Sequence, residues 1–253
     1  MKLGICSSLE KAEVCILAGA DFIEVNNSAI AKLSDGDFEK VLELSRKYPG
    51  KMLASNALIP SHVRLTGDAV NYGQIKEFCE MSFERLAKLG VKILVFGSGG
   101  AKQVPDGFSF EAAMGQLVKC VRIFGEIAKR HEQIVVIEPL RYQECNIINL
   151  VSESKRLADL SGLDNVKAHV DFFHLMQNGE TLTEIKKYAA DLGHVHVASP
   201  ILRTIPTFDD GANYKAFFDI IREGNPDQTV SFEGKFEPDI EKLKTMFDFL
   251  KSL

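Results

Sequence analysis

The chain has 253 residues, 45% of them hydrophobic, and a formal net charge of −5. That length suits one large α/β barrel or two small domains, and the apolar content can fill a core, so a disordered chain is excluded. The acidic balance, with a pI of about 5.7, argues against a nucleic-acid binder driven by electrostatics, and no apolar run approaches the ~20 residues that span a bilayer.

The order of elements is strand then helix from end to end. A strand over 2–8 (KLGICSS) is followed by a helix over 9–20 that stops at its glycine. In MKLGICSSLEKAEVC the charges crowd a short apolar run, which does not read as a secretory leader, so cytoplasmic residence is the default expectation. A second strand over 21–28 and a helix over 37–48 lead to a strand over 52–59. A longer connection through His62, Arg64 and Gly67 precedes a helix over 71–90 and the strand VKILVFGS. Another long connection, GGAKQVPDGFS, precedes the helix over 110–130. The remainder is compact: strand IVVIEPL, a helix over 149–162, strand VKAHVDF, a helix over 181–193 and strand HVHVAS. A loop through Arg203 to Gly211 then leads to a helix over 214–224, strand TVSFEGK and a closing helix over 239–253.

Eight strands alternating with eight helices at roughly thirty residues per unit predict a (β/α)8 barrel, with 1–253 as a single domain. A doubly wound open sheet would carry a phosphate-binding glycine signature after its first strand. Here that strand runs into CSSLEKA instead. The longest connections follow strands three, four and seven, at the end where barrels keep their chemistry. The five cysteines (Cys6, Cys15, Cys79, Cys120, Cys145) show no zinc-type or redox spacing. Cys15, Cys79 and Cys120 fall in amphipathic helical patterns as buried apolar residues. Cys145 follows a strand, where it either packs or lines a site.

Four of the strands end on a residue fit to bind a metal: Glu138, Asp171, His196 and Glu233. Side chains alternate along a strand, so Glu138 shares a face with Val136, Asp171 with His169, His196 with His194, and Glu233 with Ser231 and Lys235. Pointing inward at the barrel mouth, the four would converge. Three carboxylates buried together without a cation are costly, and a divalent ion removes that cost. Oxygen-rich ligation with one imidazole suits Mn2+ foremost, with Mg2+, Co2+ and Zn2+ as alternatives. The bland alternative is four separate polar strand ends, solvated or salt-bridged.

With these motifs the chain resembles the xylose-isomerase-like barrels, which include sugar phosphate isomerases and the ketose 3-epimerases. The resemblance rests on the Glu of VVIEPL, the Asp and His of VDFFH, the second His of GHVHVA and the Glu of VSFEG. It implies a metal held by Glu138, Asp171, His196 and Glu233, with Glu138 and Glu233 also exchanging the substrate proton. Glu144, six residues after Glu138, and His174, three after Asp171, match family positions that contact substrate oxygens. Arg203 is the candidate for the family's arginine after the strand-seven histidine, though it stands one residue further on. Lys235, where the family's free-sugar epimerases would not have a lysine, is a candidate to bind a phosphate or carboxylate on the substrate.

Glu24, Asn26 and Asn56 end strands two and three, where they either close the mouth or pack as polar strand ends. The glycines after strand four form an anion cradle or a plain turn. His62 lies in the third connection, where it either covers the site or is simply exposed, while His169 and His194 sit one layer below Asp171 and His196 as supporting or satisfied core histidines. Lys167 stands at the start of its strand, which rules out a Schiff-base role. The expected function is a metal-dependent sugar or sugar-phosphate isomerase or epimerase, with a small-molecule substrate, no nucleic-acid or membrane partner, and self-association left open. An abasic-site endonuclease shares this barrel and ligand plan, but six histidines and no basic stretch disfavour it. A non-catalytic sugar-binding barrel is the third alternative, since fold does not fix function.

Overall fold

Eight parallel strands close into a barrel in the order β1 to β8, with β8 paired back onto β1, in a computed structural model that describes residues 1–253. The strands are β1 (Lys2–Cys6), β2 (Phe22–Asn26), β3 (Met52–Asn56), β4 (Ile93–Phe96), β5 (Ile134–Ile137), β6 (Val166–Asp171), β7 (Leu192–Val197) and β8 (Thr229–Phe232). They read as short Val- and Ile-rich runs because helices cover one face and the barrel interior buries the other. The long helices are α1 (Leu9–Leu17), α3 (Asp35–Lys47), α4 (Tyr72–Lys88), α6 (Phe110–Arg130), α7 (Val151–Ser161), α10 (Tyr214–Gly224) and α11 (Ile240–Ser252).

Helix α6 shows how the outer ring is built. Ser109 caps its N-terminus by accepting from the Ala112 N–H at 3.2 Å. Ala113, Leu117, Cys120, Phe124 and Ala128 recur every three or four residues and are buried, so one stripe faces the barrel. Cys15, Cys79 and Cys120 are all buried, as their helical spacing predicts, and Cys145 is buried as well. No helix is long and apolar enough to cross a membrane.

Inside the barrel, Phe22, Ala54, Ile93, Val95 and Val136 form an apolar plug separate from the main core. Above it the lining turns polar. Period two carries Glu24 above Phe22, Asn56 above Ala54 and Glu138 above Val136, so the mouth receives the chemistry and the floor receives the packing.

Short helices α2 (Asn27–Ile30), α5 (Gly99–Lys102) and α8 (Phe172–Asn178) follow strand ends at the mouth, and α9 (Leu182–Lys186) lies on the return from α8 to β7. Two of them change the sequence reading. Helix α8 starts directly at the end of β6 because Asp171 caps it, its carboxylate accepting from the Phe173 N–H at 2.7 Å. The single helix expected over 181–193 is instead α9, a 3-10 turn over Ala189–Asp191, and the start of β7 at Leu192. The register shift between Ala168 and His169 brings Leu192 into the ladder, which a helical pattern could not foresee.

Candidate metal centre at the barrel mouth

Glu138, Asp171, His196 and Glu233 meet at the C-terminal end of β5 to β8, with one ligand atom from each inside a span of 4.8 Å. His196 Nδ1 lies 3.1 Å from Glu233 Oε2, 3.3 Å from Glu138 Oε1 and 4.0 Å from Asp171 Oδ2. Glu138, Asp171 and His196 are buried, and Glu233 is partly open to the pocket above.

The imidazole is aimed by a residue whose role the sequence left open. Glu24, on β2, is buried and takes His196 Nε2 on one carboxylate oxygen at 3.0 Å. Its other oxygen accepts from Ser231 Oγ at 2.7 Å and meets His194 Nε2 at 3.0 Å. A carboxylate on one ring nitrogen fixes the tautomer and turns the other nitrogen to the ligand cluster. His194 thus has the supporting place expected for it, its Nδ1 lying 2.7 Å from Thr229 Oγ1. His169 packs edge-on against His196, and neither of its ring nitrogens has a hydrogen-bond partner. Burial, with His196 and His194 nearby, pushes its pKa well down and keeps it neutral.

Arg203 partly offsets the carboxylates. Its Nη2 donates to Asp171 Oδ2 at 3.1 Å and to Glu233 Oε2, and its guanidinium lies 4.9 Å from the centre of the Phe173 ring. The residue has a φ of +52°, and its carbonyl accepts from the Lys235 N–H at 2.7 Å. A Cβ at Gly234 would stand 2.6 Å from that carbonyl oxygen, so glycine is required for the loops after β7 and β8 to meet.

Glu138 is seated from both sides. Lys102, the last residue of α5 and fully buried, donates from Nζ to the Glu138 carbonyl oxygen at 2.9 Å. On the other side is Gly97, just past β4, where a Cβ would overlap Glu138 Oε2 and come within 3.2 Å of Cδ. Lys102 escaped the sequence reading because it sits in a glycine-rich connection with no periodicity. The glycines themselves line the pocket through Gly97, Gly99 and Gly100.

Of the other expected residues, His174 and Glu144 line the same cavity of about 430 Å3, as does Arg203. His174 Nδ1 accepts from the Arg141 N–H at 3.3 Å, which puts the proton on Nε2. That nitrogen has no hydrogen-bond partner and faces Asp171 Oδ2 at 3.7 Å and Glu138 Oε1 at 3.9 Å. Glu144 is held by Arg141 at 2.7 Å, with Arg203 Nη1 at 3.8 Å. Asn56 donates to Glu233 Oε1 at 3.0 Å. Lys235 is not brought to the cluster: β8 ends at Phe232, the chain turns through Gly234, and the lysine is exposed outside the cavity lining. Period-two alternation still places Glu138 and Glu233, one residue past β5 and β8, and is lost at the turn through Gly234. His62 is exposed.

The electrostatics call for more positive charge than the protein supplies. Burial and the nearby Glu233 carboxylate push the Glu138 carboxyl up. Burial would also raise Glu233, but His196 and Arg203 hold it down at about 2. Burial opposes the charge on His196, and Glu24 and Glu233 overcome it, raising its pKa well above the usual histidine range. Three carboxylates thus face one guanidinium and one imidazole, a set of groups that could hold a metal ion.

The family model for xylose isomerase-like TIM barrels matches residues 13–253. A hydroxypyruvate isomerase of Escherichia coli strain K12 is 25% identical over 136 residues, 53% of this chain and 52% of that protein. A 3-dehydro-D-guloside 4-epimerase of the same strain is 26% identical over 119 residues, 46% of this chain and 44% of that one. The chain thus spans about half the length of the curated relatives it matches. Among solved structures, the apo form of a 3-keto-D-glucoside 4-epimerase from E. coli superposes with a TM-score of 0.84 over 100% of both chains at 20% identity, a likeness of fold.

Proposed function

The chain belongs to the xylose isomerase-like TIM-barrel family, and from that premise we propose that it is a divalent-metal-dependent sugar or sugar-phosphate isomerase or epimerase working at the carbon beside a carbonyl. The observation that carries the proposal is the convergence of Glu138, Asp171, His196 and Glu233 within 4.8 Å. The relatives' names, an isomerase and an epimerase, support the reaction class.

The donor set fits a divalent ion. Burial and the Glu233 carboxylate raise the proton affinity of Glu138, and Glu24 turns His196 Nδ1 toward the carboxylates. Glu138, Asp171, His196 and Glu233 would hold the ion, Mn2+ foremost by the oxygen-rich set, with Mg2+, Co2+ and Zn2+ as alternatives. When bound, it supplies Lewis-acid polarisation of a substrate carbonyl and neighbouring hydroxyl, which acidifies the C–H beside the carbonyl.

The chain's own residues then handle the proton. Glu138 and Glu233 come from β5 and β8 and reach the cavity from different sides, so one removes the proton as general base. Return by the other carboxylate to the opposite face of the same carbon gives epimerisation, and return to the adjacent carbon gives aldose–ketose isomerisation. His174 offers its Nε2–H, and Glu144 its carboxylate, to substrate oxygens. Arg203, already poised over Asp171 and Glu233, holds the substrate beside them.

The test is turnover in D2O with added Mn2+, following ketoses, aldoses, their phosphates and ring-oxidised sugars by NMR. The substrate should acquire deuterium beside its carbonyl, and Glu138→Gln or Glu233→Gln should lower kcat by at least ~10²-fold. Turnover with hydrogen passed directly between carbons and no solvent deuterium would refute the two-glutamate route.

A further inference from the structure

Large apolar side chains left in water gather at one place on this barrel. Of the ten that are exposed, Leu17, Met81, Phe110, Leu160 and Ile240 stand singly on α1, α4, α6, α7 and α11. The other five follow β5, β6 and β7 at the mouth: Tyr142 (57% exposed), Met176 (42%), Ile201 (71%), Leu202 (68%) and Phe208. Single exposed residues are ordinary, whereas a cluster marks a contact surface. The segments under this cluster are tied together. The Tyr142 N–H donates to Asn178 Oδ1 at 3.1 Å, which joins the connection after β5 to α8. Gln177 Nε2 donates to the Pro200 carbonyl at 2.7 Å, which joins α8 to the connection after β7.

The size of the patch matches one face of a protein interface. A large side chain fully in water shows roughly 200 Å2, so Tyr142, Met176, Ile201 and Leu202 leave on the order of 500 Å2 exposed. A stable interface covers about 800 Å2 per partner, of which roughly 60% is apolar. The four side chains alone supply the apolar area of such a face, and Phe208 lies further along the same connection.

Its charge decides what covers it. The one ionisable side chain of α8, His174, is buried. The one charged side chain within 200–208, Arg203, is turned to Asp171 and Glu233. Glu144, near Tyr142, is paired with Arg141. A chain of net charge −5 repels its own copy wherever like charges meet. A two-fold contact sets one patch against itself, and a patch without free charge meets no such repulsion. A partner recruited by charge finds nothing here to hold it.

We propose that a second copy of this chain docks on this face, pairing two barrels through the connections after β5, β6 and β7 as a two-fold dimer. The inference rests on the exposed face and not on the reaction. The same connections carry Glu144, His174 and Arg203, so pairing steadies the loops that place these side chains in the cavity.

Sedimentation equilibrium of the full chain from ~1 to ~100 µM measures the association. Wild type should reach twice the 28.1 kDa of one chain. Leu202→Glu and Met176→Glu each set a carboxylate into the apolar contact and should raise the dimer dissociation constant at least ~100-fold. Both positions are exposed, so the variants should keep the wild-type circular dichroism as monomers. Leu17→Glu, at the end of α1 away from the mouth, should leave the dimer intact. Hydrogen exchange locates the contact without a variant: amides of 172–178 and 200–205 should exchange more slowly at ~100 µM than at ~1 µM. A wild type that stays monomeric at ~100 µM overturns the proposal, as does a dimer that withstands both substitutions or that Leu17→Glu dissociates as readily. A monomer that floats with neutral phosphatidylcholine vesicles would give the patch to a bilayer. A monomer whose 200–205 amides slow only when Mn2+ and a ketose are added would give it to closure over the cavity. Either result also overturns the dimer.

Discussion

Gly97→Ala is the sharpest probe of the site, because one methyl group is aimed at one carboxylate. The new Cβ would lie 3.2 Å from Glu138 Cδ and would overlap Oε2, whereas unstrained carbon contacts run ~3.5–4.0 Å. The carboxylate must therefore swing away by on the order of 1 Å. The backbone beneath it has little freedom to follow. The Glu138 N–H donates to the Phe96 carbonyl at 3.1 Å, and Lys102 holds the Glu138 carbonyl. Overpacking of this kind costs about 1–3 kcal/mol of stability, and a 1 Å misplacement of a catalytic group costs about 10²-fold in rate. The assay pairs thermal unfolding with Mn2+ affinity and kcat. The fold should survive while metal affinity and kcat fall together. In the background of Glu138→Ala, where the clash partner is gone, adding Gly97→Ala should cost no further stability. A Gly97→Ala protein that binds Mn2+ and turns over like wild type would refute the reasoning.

Glu24→Gln keeps the shape of the carboxylate but presents an amide N–H2 to one of the two histidines; the misdirected His196 should cost 10- to 100-fold in metal affinity, and an unchanged Kd would reject Glu24 as the orienting residue. Lys102→Met removes the donor to the buried Glu138 carbonyl, for which a loss of ~1–3 kcal/mol is expected. If the lysine positions Glu138, kcat should drop more than KM rises; a loss of stability with kinetics intact would make it a packing residue alone. Glu180 gives a pH signature away from the site. Burial raises its carboxyl to about 7, with Glu184 and Glu153 adding and the Val151 N–H opposing. A folded-state value above the unfolded ~4.3 contributes stability below pH ~4.3 that is lost as pH rises through 7. Glu180→Gln should therefore raise the Tm at pH 8 and leave it unchanged near pH 4. An equal gain at both would contradict the assignment.

The barrel and the four side chains that converge at its mouth were legible because each depends on local pattern. Short β-branched runs, amphipathic helices and a polar residue at each of four strand ends are written in windows of a few residues, and parallel closure then places every strand end at one mouth. His174, Glu144 and Arg203 were legible only through the resemblance to the family, Arg203 one residue off its pattern, and all three line the cavity. Contacts made across the barrel were hidden. Glu24 reaches His196 over 172 positions of sequence, and Lys102 reaches Glu138 over 36, and no local periodicity encodes either pairing. The helix capped by Asp171 was hidden for the opposite reason, since one side chain both ends a strand and starts a helix, and the capping bonds exist only once the chain has turned. Lys235 marks the limit of alternation, which still orients Glu233 one residue past β8 and is lost where the chain turns at Gly234. A second cavity of about 740 Å3, beside the candidate metal centre, belongs to the tertiary structure alone. Its walls come from the turn after β1, the segment after β2 and Phe236 beyond β8, and they become neighbours only because closing the barrel sets β1 between β2 and β8.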